Sequence, residues 1–326
     1  SPDTSSDSTG PIRATPDPAA LLLLLSCAAA AVLALRFARE YHFNVVDRRH
    51  FPTPRGVPPL VLELPPGDKL AYAGSIEVSC RDRLPPDKPG SRLYDCDPDA
   101  AVLGCTFENN SIGASLMGSA GRVLSCSFAF NANYSLSCSG GTAEVRNCSF
   151  RDCPTNALTL DGCGGVIDGN RFDKVESAGI FGKNATSEIS NNTFSSGRGT
   201  AIHSVGTAGA PNIHDNRFFK NGLGVALSDG SSGRVHHNNF SSNQQAGIAL
   251  RDARGEIFCN TVSGSVHGIS CILRSDPNIH DNEVFENEGG ILCEDSSNAT
   301  VAGNLVHGNS RFGILARMSY PSLSGN

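Results

Sequence analysis

The chain has 326 residues, a formal net charge of −6, no Trp and only five Tyr. A mildly acidic chain with no basic run longer than two residues is a poor partner for nucleic acid. The shortage of Trp and Tyr also leaves few of the ring platforms that usually stack on sugars or bases.

Residues 1–18 are rich in Ser, Pro, Asp and Thr and are expected to form a disordered tail, because they have too little apolar surface to bury. From Ala19 to Leu35 the chain is an unbroken apolar stretch at the lower limit for crossing a bilayer. Residues 19–38 therefore read as a hydrophobic helix and membrane segment, which makes the protein membrane-associated. Two other readings stay open for it. One is a cleaved leader, since Ala-x-Ala occurs although the preceding region is acidic. The other is a helix capping the first coil of the C-terminal repeats, since Phe37, Tyr41 and Val45 fall four apart on one helix face. Arg36, Arg39, Arg48, Arg49 and Arg55 come after the stretch and only Arg13 precedes it, which would hold the rest of the chain on the cytosolic side. Twelve cysteines, and glycosylation sequons at Asn109, Asn133, Asn147, Asn184, Asn191, Asn239 and Asn298, point the other way, so the side of the membrane stays open.

Residues 39–59 read as a linker or capping helix, closed by Pro52, Pro54, Pro58 and Pro59. A second domain is expected over 60–326. It opens with a strand at Leu60–Leu64, a turn at Pro65-Pro66-Gly67 and an irregular coil running to Ala101, in which Cys80 and Cys96 are the best disulfide candidates. It ends inside a repeat at Asn326; because a solenoid needs a covered end, further coils are expected beyond that point.

From Val102 onward the chain repeats with a period close to 22 residues. An aliphatic residue recurs at Val102, Val123, Val145, Ile167, Ile189, Ile213, Val235, Ile257, Ile279, Val301 and Leu323. Three positions later come Cys105, Cys126 and Cys148, then Asn170, Asn192, Asn216, Asn238, Asn260, Asn282, Asn304 and Asn326. Five positions after the aliphatic come Phe107, Phe128, Phe150, Phe172, Phe194, Phe218 and Phe240, then Val262, Val284 and Val306. A period of this length means a solenoid. Short β-branched or aromatic runs broken by Gly, Asn, Ser and Asp exclude a helical repeat. Each unit holds three short strands, closing with Gly-aliphatic-x-aliphatic as in Gly224-Val-Ala-Leu227 and Gly247-Ile-Ala-Leu250. The expected fold is all-β: a right-handed parallel β-helix of about 11 coils, preceded by one hydrophobic helix. Like residues would stack one strand spacing apart, about 4.8 Å. The Asn column is expected to form a structural ladder, its members occupying left-handed turns and pairing their amides along the stack.

These registers resemble the right-handed parallel β-helix repeat family over roughly residues 60–326. Asp276-Pro-Asn-Ile-His-Asp-Asn282 and Asn309-Ser-Arg-Phe-Gly-Ile314 are similar to the carbohydrate-binding and sugar-hydrolase type repeats of F-box-only substrate receptors of ubiquitin ligases. The resemblance implies the fold; polysaccharide lyases and uronate epimerases share it equally. No F-box is present in the sequence, and fold alone does not transfer function.

Chemistry would have to come from polar residues aligned between coils. His214 and His236 should be neighbours, with Asp215 and His237 beside them, as a metal site or an acid–base pair. His280 lies two coils beyond His236 with Phe258 between them, which is expected to break any longer cluster. The competing reading is a solvated corner. Asp168, Asp173, Lys174 and Glu176 are expected on a turn with no paired base in register, and Asp276, Asp281, Glu283, Glu286 and Glu288 offer oxygens for calcium. The outward position of the closing strand reads Ala226, Ala249, Ser270, Leu292 and Leu315, too bland for proton abstraction. With no convergent catalytic set and no cofactor motif, the expectation is a membrane-tethered, non-enzymatic binding or scaffold protein for a protein or glycan partner. The alternatives are a polysaccharide-modifying enzyme of the lyase or epimerase type, or a ubiquitin-ligase substrate receptor.

Overall fold

A computed structural model describes residues 102–326, apart from Ser119, together with the backbone of 46–47, 61–62, 77–79, 91–94 and 101. The expected tail, hydrophobic helix, most of the linker and the Cys80–Cys96 pairing lie outside the described residues. Among the described residues no helix is long and apolar enough to cross a membrane.

Ten complete coils run from Ala101 to Arg317, and Ser322–Ser324 begins the next; this is one fewer full coil than the repeat count suggests. Coil six shows the plan: strands Asn212–His214, Arg217–Phe219 and Leu223–Ser228. Each strand pairs in parallel with its equivalents above and below, giving three sheets of 12, 10 and 13 strands. We call these the aliphatic, Phe and long-strand sheets. Val61–Leu62 pairs with Ala101–Val102, which places the expected opening strand directly on the first full coil. Val46–Asp47, inside the segment expected as linker or capping helix, pairs with Val78–Ser79 in the long-strand sheet.

Burial explains the registers. Every member of the aliphatic column from Val102 to Val301 is buried, and the seven Phe of the Phe column are at most 1% exposed. Their rings stack face to face with centroids 4.5–5.0 Å apart, one rung per coil. No coil hides its apolar face alone, so neighbouring coils stabilise one another. Gly224 is the second residue of its closing strand, where a Cβ would collide with the carbonyl of Gly247 and the ring of Phe240.

The corner between the aliphatic and Phe strands lies one residue earlier than the sequence pattern suggests. The left-handed residue is the one before the Asn column: Gly104, Ser125, Asn147, Gly169, Asn191, Asp215, His237, Cys259, Asp281, Gly303 and Gly325, with φ between 51° and 66°. One left-handed residue turns the chain, and the next side chain then points inward. That inward residue is the Asn. Asn238 Nδ2 donates to the carbonyls of Ile213 and His236 at 2.9 Å and to Asn260 Oδ1 at 3.1 Å, while its Oδ1 accepts from Asn216 N at 2.9 Å. The pattern repeats from Asn170 to Asn304. The ladder therefore satisfies buried carbonyls and amides that the corner removes from the sheets.

A second, interrupted ladder comes after the Phe strand. Asn131 accepts from Asn110 N, Asn243 from Asn221 N and Asn309 from Asn287 N, at 3.0–3.2 Å. The same register holds Cys153, Val175, Gly197 and Ser265, so no single residue type marks it.

Candidate functional site

The inward registers are taken up by the core, so chemistry is left to the outward positions. On the aliphatic sheet these alternate with the buried aliphatic, which puts His214, His236, Phe258 and His280 in one column. Their rings stack in series at 5.0, 4.7 and 5.2 Å between centroids. Phe258 therefore continues the column instead of breaking it.

The left-handed corner holds the partners. His214 Nδ1 lies 2.7 Å from Asp215 Oδ2, and its Nε2 lies 3.1 Å from Glu188 Oε1. His236 Nδ1 lies 2.8 Å from His237 Nδ1, and its Nε2 lies 3.0 Å from Asn212 Oδ1. His280 repeats the first arrangement with Asp281 at 2.8 Å. These surroundings separate two like residues. Burial opposes charge on His214, but its bonds to Asp215 and Glu188 outweigh that and hold it above the ordinary value of 6.5. Burial, reinforced by the positive charge of His214, His237 and Arg234, holds His236 below 6.5. An imidazole held toward its charged form thus stacks on one held toward its neutral form, the division of labour that acid–base pairs require. As for metal binding, both nitrogens of His214 face carboxylates, and among the described residues no group of three or more ligating side chains converges.

The acidic candidates scatter. Asp168 lies on the same outer face as the His column and, against expectation, has a base in register: Arg146 Nη1 at 2.7 Å, with Ser190 and Asn191 also donating to it. The Asn191 bond first, then those of Ser190 and Arg146, hold the Asp168 carboxyl below the usual carboxylate range. Asp173 lies on the Phe sheet, bonded to Ser195 Oγ at 2.6 Å. Glu176 meets Arg198 at 3.2 Å, and Lys174 occupies a left-handed turn. Of the calcium candidates, Asp281 serves His280, Glu283 faces His307 at 3.7 Å, Glu288 faces Arg311 at 3.9 Å and Asp276 accepts from Asn298 N.

The long-strand face is less bland than its later coils suggest. Extending the closing-strand register backwards adds Thr159, Phe181 and His203 to the column that continues with Ala226, and Asp161 pairs in register with Lys183. His203 Nε2 lies 3.1 Å from Ser228 Oγ, which donates to Asp229 Oδ2 at 3.2 Å. Burial lowers the His203 pKa, with Asp229 opposing. Only the later coils carry the bland register, so the closing-strand pattern gives no sign of this group.

The comparisons with known proteins agree on architecture. A family model for a right handed beta helix region matches residues 94–236 and 222–326. An aspartate-to-alanine variant of the periplasmic alginate epimerase AlgG is similar in structure, with a TM-score of 0.50 and 15% identity over 76% of this chain and 67% of that one. The catalytic unit of a thermostable GH87 alpha-1,3-glucanase from Streptomyces thermodiastaticus also has a TM-score of 0.50, at 12% identity over 73% of this chain and 56% of its own. At such identities the likeness is one of fold. No curated protein matches the chain.

Proposed function

This chain belongs to the right-handed β-helix family, and we propose that it is a polysaccharide-modifying member working on the outer face of the aliphatic sheet. The observation that carries the reading is the His214–His236 pair, two stacked rings whose surroundings push their protonation in opposite directions. His236, held toward the neutral form, takes a proton from a sugar carbon at Nδ1 in place of its contact with His237; His214, held toward the charged form, gives one to the departing glycosidic oxygen from Nε2 in place of its bond to Glu188. Both rings lie on the same surface, 5.0 Å apart, and so reach the same side of a bound sugar. That arrangement suits lyase-type elimination. It does not suit epimerisation, which must return the proton to the opposite side. The ring column running on through Phe258 to His280 presents a line of ring edges along which an extended polymer would lie. Similarity in fold to two polysaccharide-active proteins supports the polymer class.

The test is turnover on a panel of uronate-containing and neutral polysaccharides, followed by the appearance of unsaturated sugar ends. Cleavage by the wild type that drops at least a hundredfold in His236→Ala, with the polymer still bound, supports the reading. Cleavage unchanged in that variant, or none on any polymer, overturns it. Binding without turnover would instead support a purely binding role.

A further inference from the structure

Three imidazoles on the aliphatic sheet repeat one geometry, and one of them departs from it in chemistry. In each, Nδ1 meets the next residue of its own coil, and Nε2 reaches diagonally to the first strand residue of the coil before. For His214 those partners are Asp215 at 2.7 Å and Glu188 at 3.1 Å; for His280 they are Asp281 at 2.8 Å and Glu256 at 3.4 Å. For His236 they are His237 at 2.8 Å and Asn212 at 3.0 Å, neither of them a carboxylate.

The difference decides where the ring proton sits. Carboxylates accept at both nitrogens, so they favour a ring carrying both protons and leave the tautomer of a neutral ring undecided. Asn212 breaks that symmetry. Its Oδ1, which faces His236 Nε2, can only accept, so Nε2 must carry the proton. Nδ1 is then a lone pair, and His237 Nδ1 donates to it. His237 is exposed on the corner, so its contact is the one that a bound sugar can replace. Asn212 is half-buried and begins strand Asn212–His214, whose Ile213 is locked in the core. The coil register therefore holds the amide in place beneath the ring.

We propose that Asn212 is a positioning residue for His236, fixing the proton on Nε2 and so making Nδ1 the basic nitrogen. The link to turnover rests on the elimination chemistry proposed above; the tautomer is a property of the folded chain alone. The experiment is nitrogen-15 NMR of the imidazoles in the full chain, at a pH above the His236 midpoint, beside turnover measured against pH. Wild-type His236 should carry its proton on Nε2. Asn212→Leu fills the same space without an acceptor, which would strand that N–H. The tautomer ratio should move about tenfold towards the Nδ1–H form, the scale of one unpaired polar group, and turnover should fall in proportion to the Nε2–H population. Asn212→Asp keeps the acceptor and should restore the Nε2–H form. It should also shift the acidic limb of the turnover profile to higher pH, because its carboxylate joins Asp215 in favouring the charged ring against His214, His237 and Arg234. A wild-type ring protonated on Nδ1, or Asn212→Leu with the wild-type tautomer ratio, would overturn the assignment. The nitrogen shifts are read without substrate, so failure of the elimination chemistry and failure of this assignment are separate results.

Discussion

The first three full coils and the later ones turn the same corner with different chemistry. Cys105, Cys126 and Cys148 occupy the inward position that Asn takes from coil four onward, and all are buried. The Cys126 thiol reaches the carbonyls of Leu124 and Val102 at 3.3 and 3.5 Å, and Cys126 N points at Cys148 Sγ at 3.4 Å. Where the two regions meet, Cys148 N is accepted by Asn170 Oδ1 at 2.8 Å. A thiol offers one weak donor and a weak acceptor, while an amide offers two donors and a strong acceptor. The Cys126 thiol is also kept neutral. The bond from Cys105 pulls it down, but its bond to Cys148 together with burial outweighs this and pushes it up to about 12. The backbone corner thus demands only a small inward side chain after a left-handed residue. The amide-to-amide rung is an addition of the later coils; the earlier ones make weaker thiol contacts in its place.

The largest effect should be common to both regions. Phe128→Ala and Phe218→Ala each remove a ring stacked on both sides and should cost about 3–5 kcal/mol, equally in the Cys and Asn coils, by urea melting. A marked inequality would mean that the rungs alter core packing as well as polar pairing. Asn238→Ala should come next. It leaves the carbonyls of Ile213 and His236 and the N–H of Asn216 short of a partner, at ~1–3 kcal/mol per group. Gln244→Ala on an exposed turn should stay within about 0.5 kcal/mol, and Cys126→Ala should lose only about 1 kcal/mol. Equal midpoints for the Asn and Cys variants would remove the distinction between the regions.

Cys148→Asn sharpens it in the opposite direction. The new Oδ1 would accept from Cys126 N and the new Nδ2 would donate to the carbonyl of Val123, replacing sulfur contacts at 3.4 Å. A gain of about 1 kcal/mol is expected; a loss would show that the corner is too tight for the amide.

The smallest effect is that of pH on the His column. His214, raised in the folded chain, contributes stability that is fully present below its unfolded value near 6.5 and is lost as pH rises through its folded value. His236, lowered, has the opposite sign: it withdraws stability as pH falls below 6.5. Ring-proton NMR titration should therefore find the His214 midpoint above that of His236, and Asp215→Asn should bring His214 down. Coincident midpoints would remove the acid–base distinction on which the proposed chemistry stands.

The repeat is legible because a parallel stack forces each inward position to see its own kind above and below. Val123 to Val301 and Phe107 to Phe240 spell out the core. The adjacency of His214 and His236 comes from the same register. The left-handed position is less legible, and the pattern misplaces it by one residue. Asn is common at such turns, whereas the true corner column mixes Gly, Ser, Asn, Asp, His and Cys. The His203–Ser228 contact escapes the period, since it arises where a column changes residue type.

The sequence by itself determined the coil, its length and which side chains face inward, because a strand's alternation and a 22-residue period leave one register that buries the Phe and aliphatic columns. Only the tertiary structure decided which outward residues share a surface and which imidazole is held toward its charged form. Those properties depend on distances of about 3 Å between residues 22 or more apart in the chain, set by the stacking of one coil on the next.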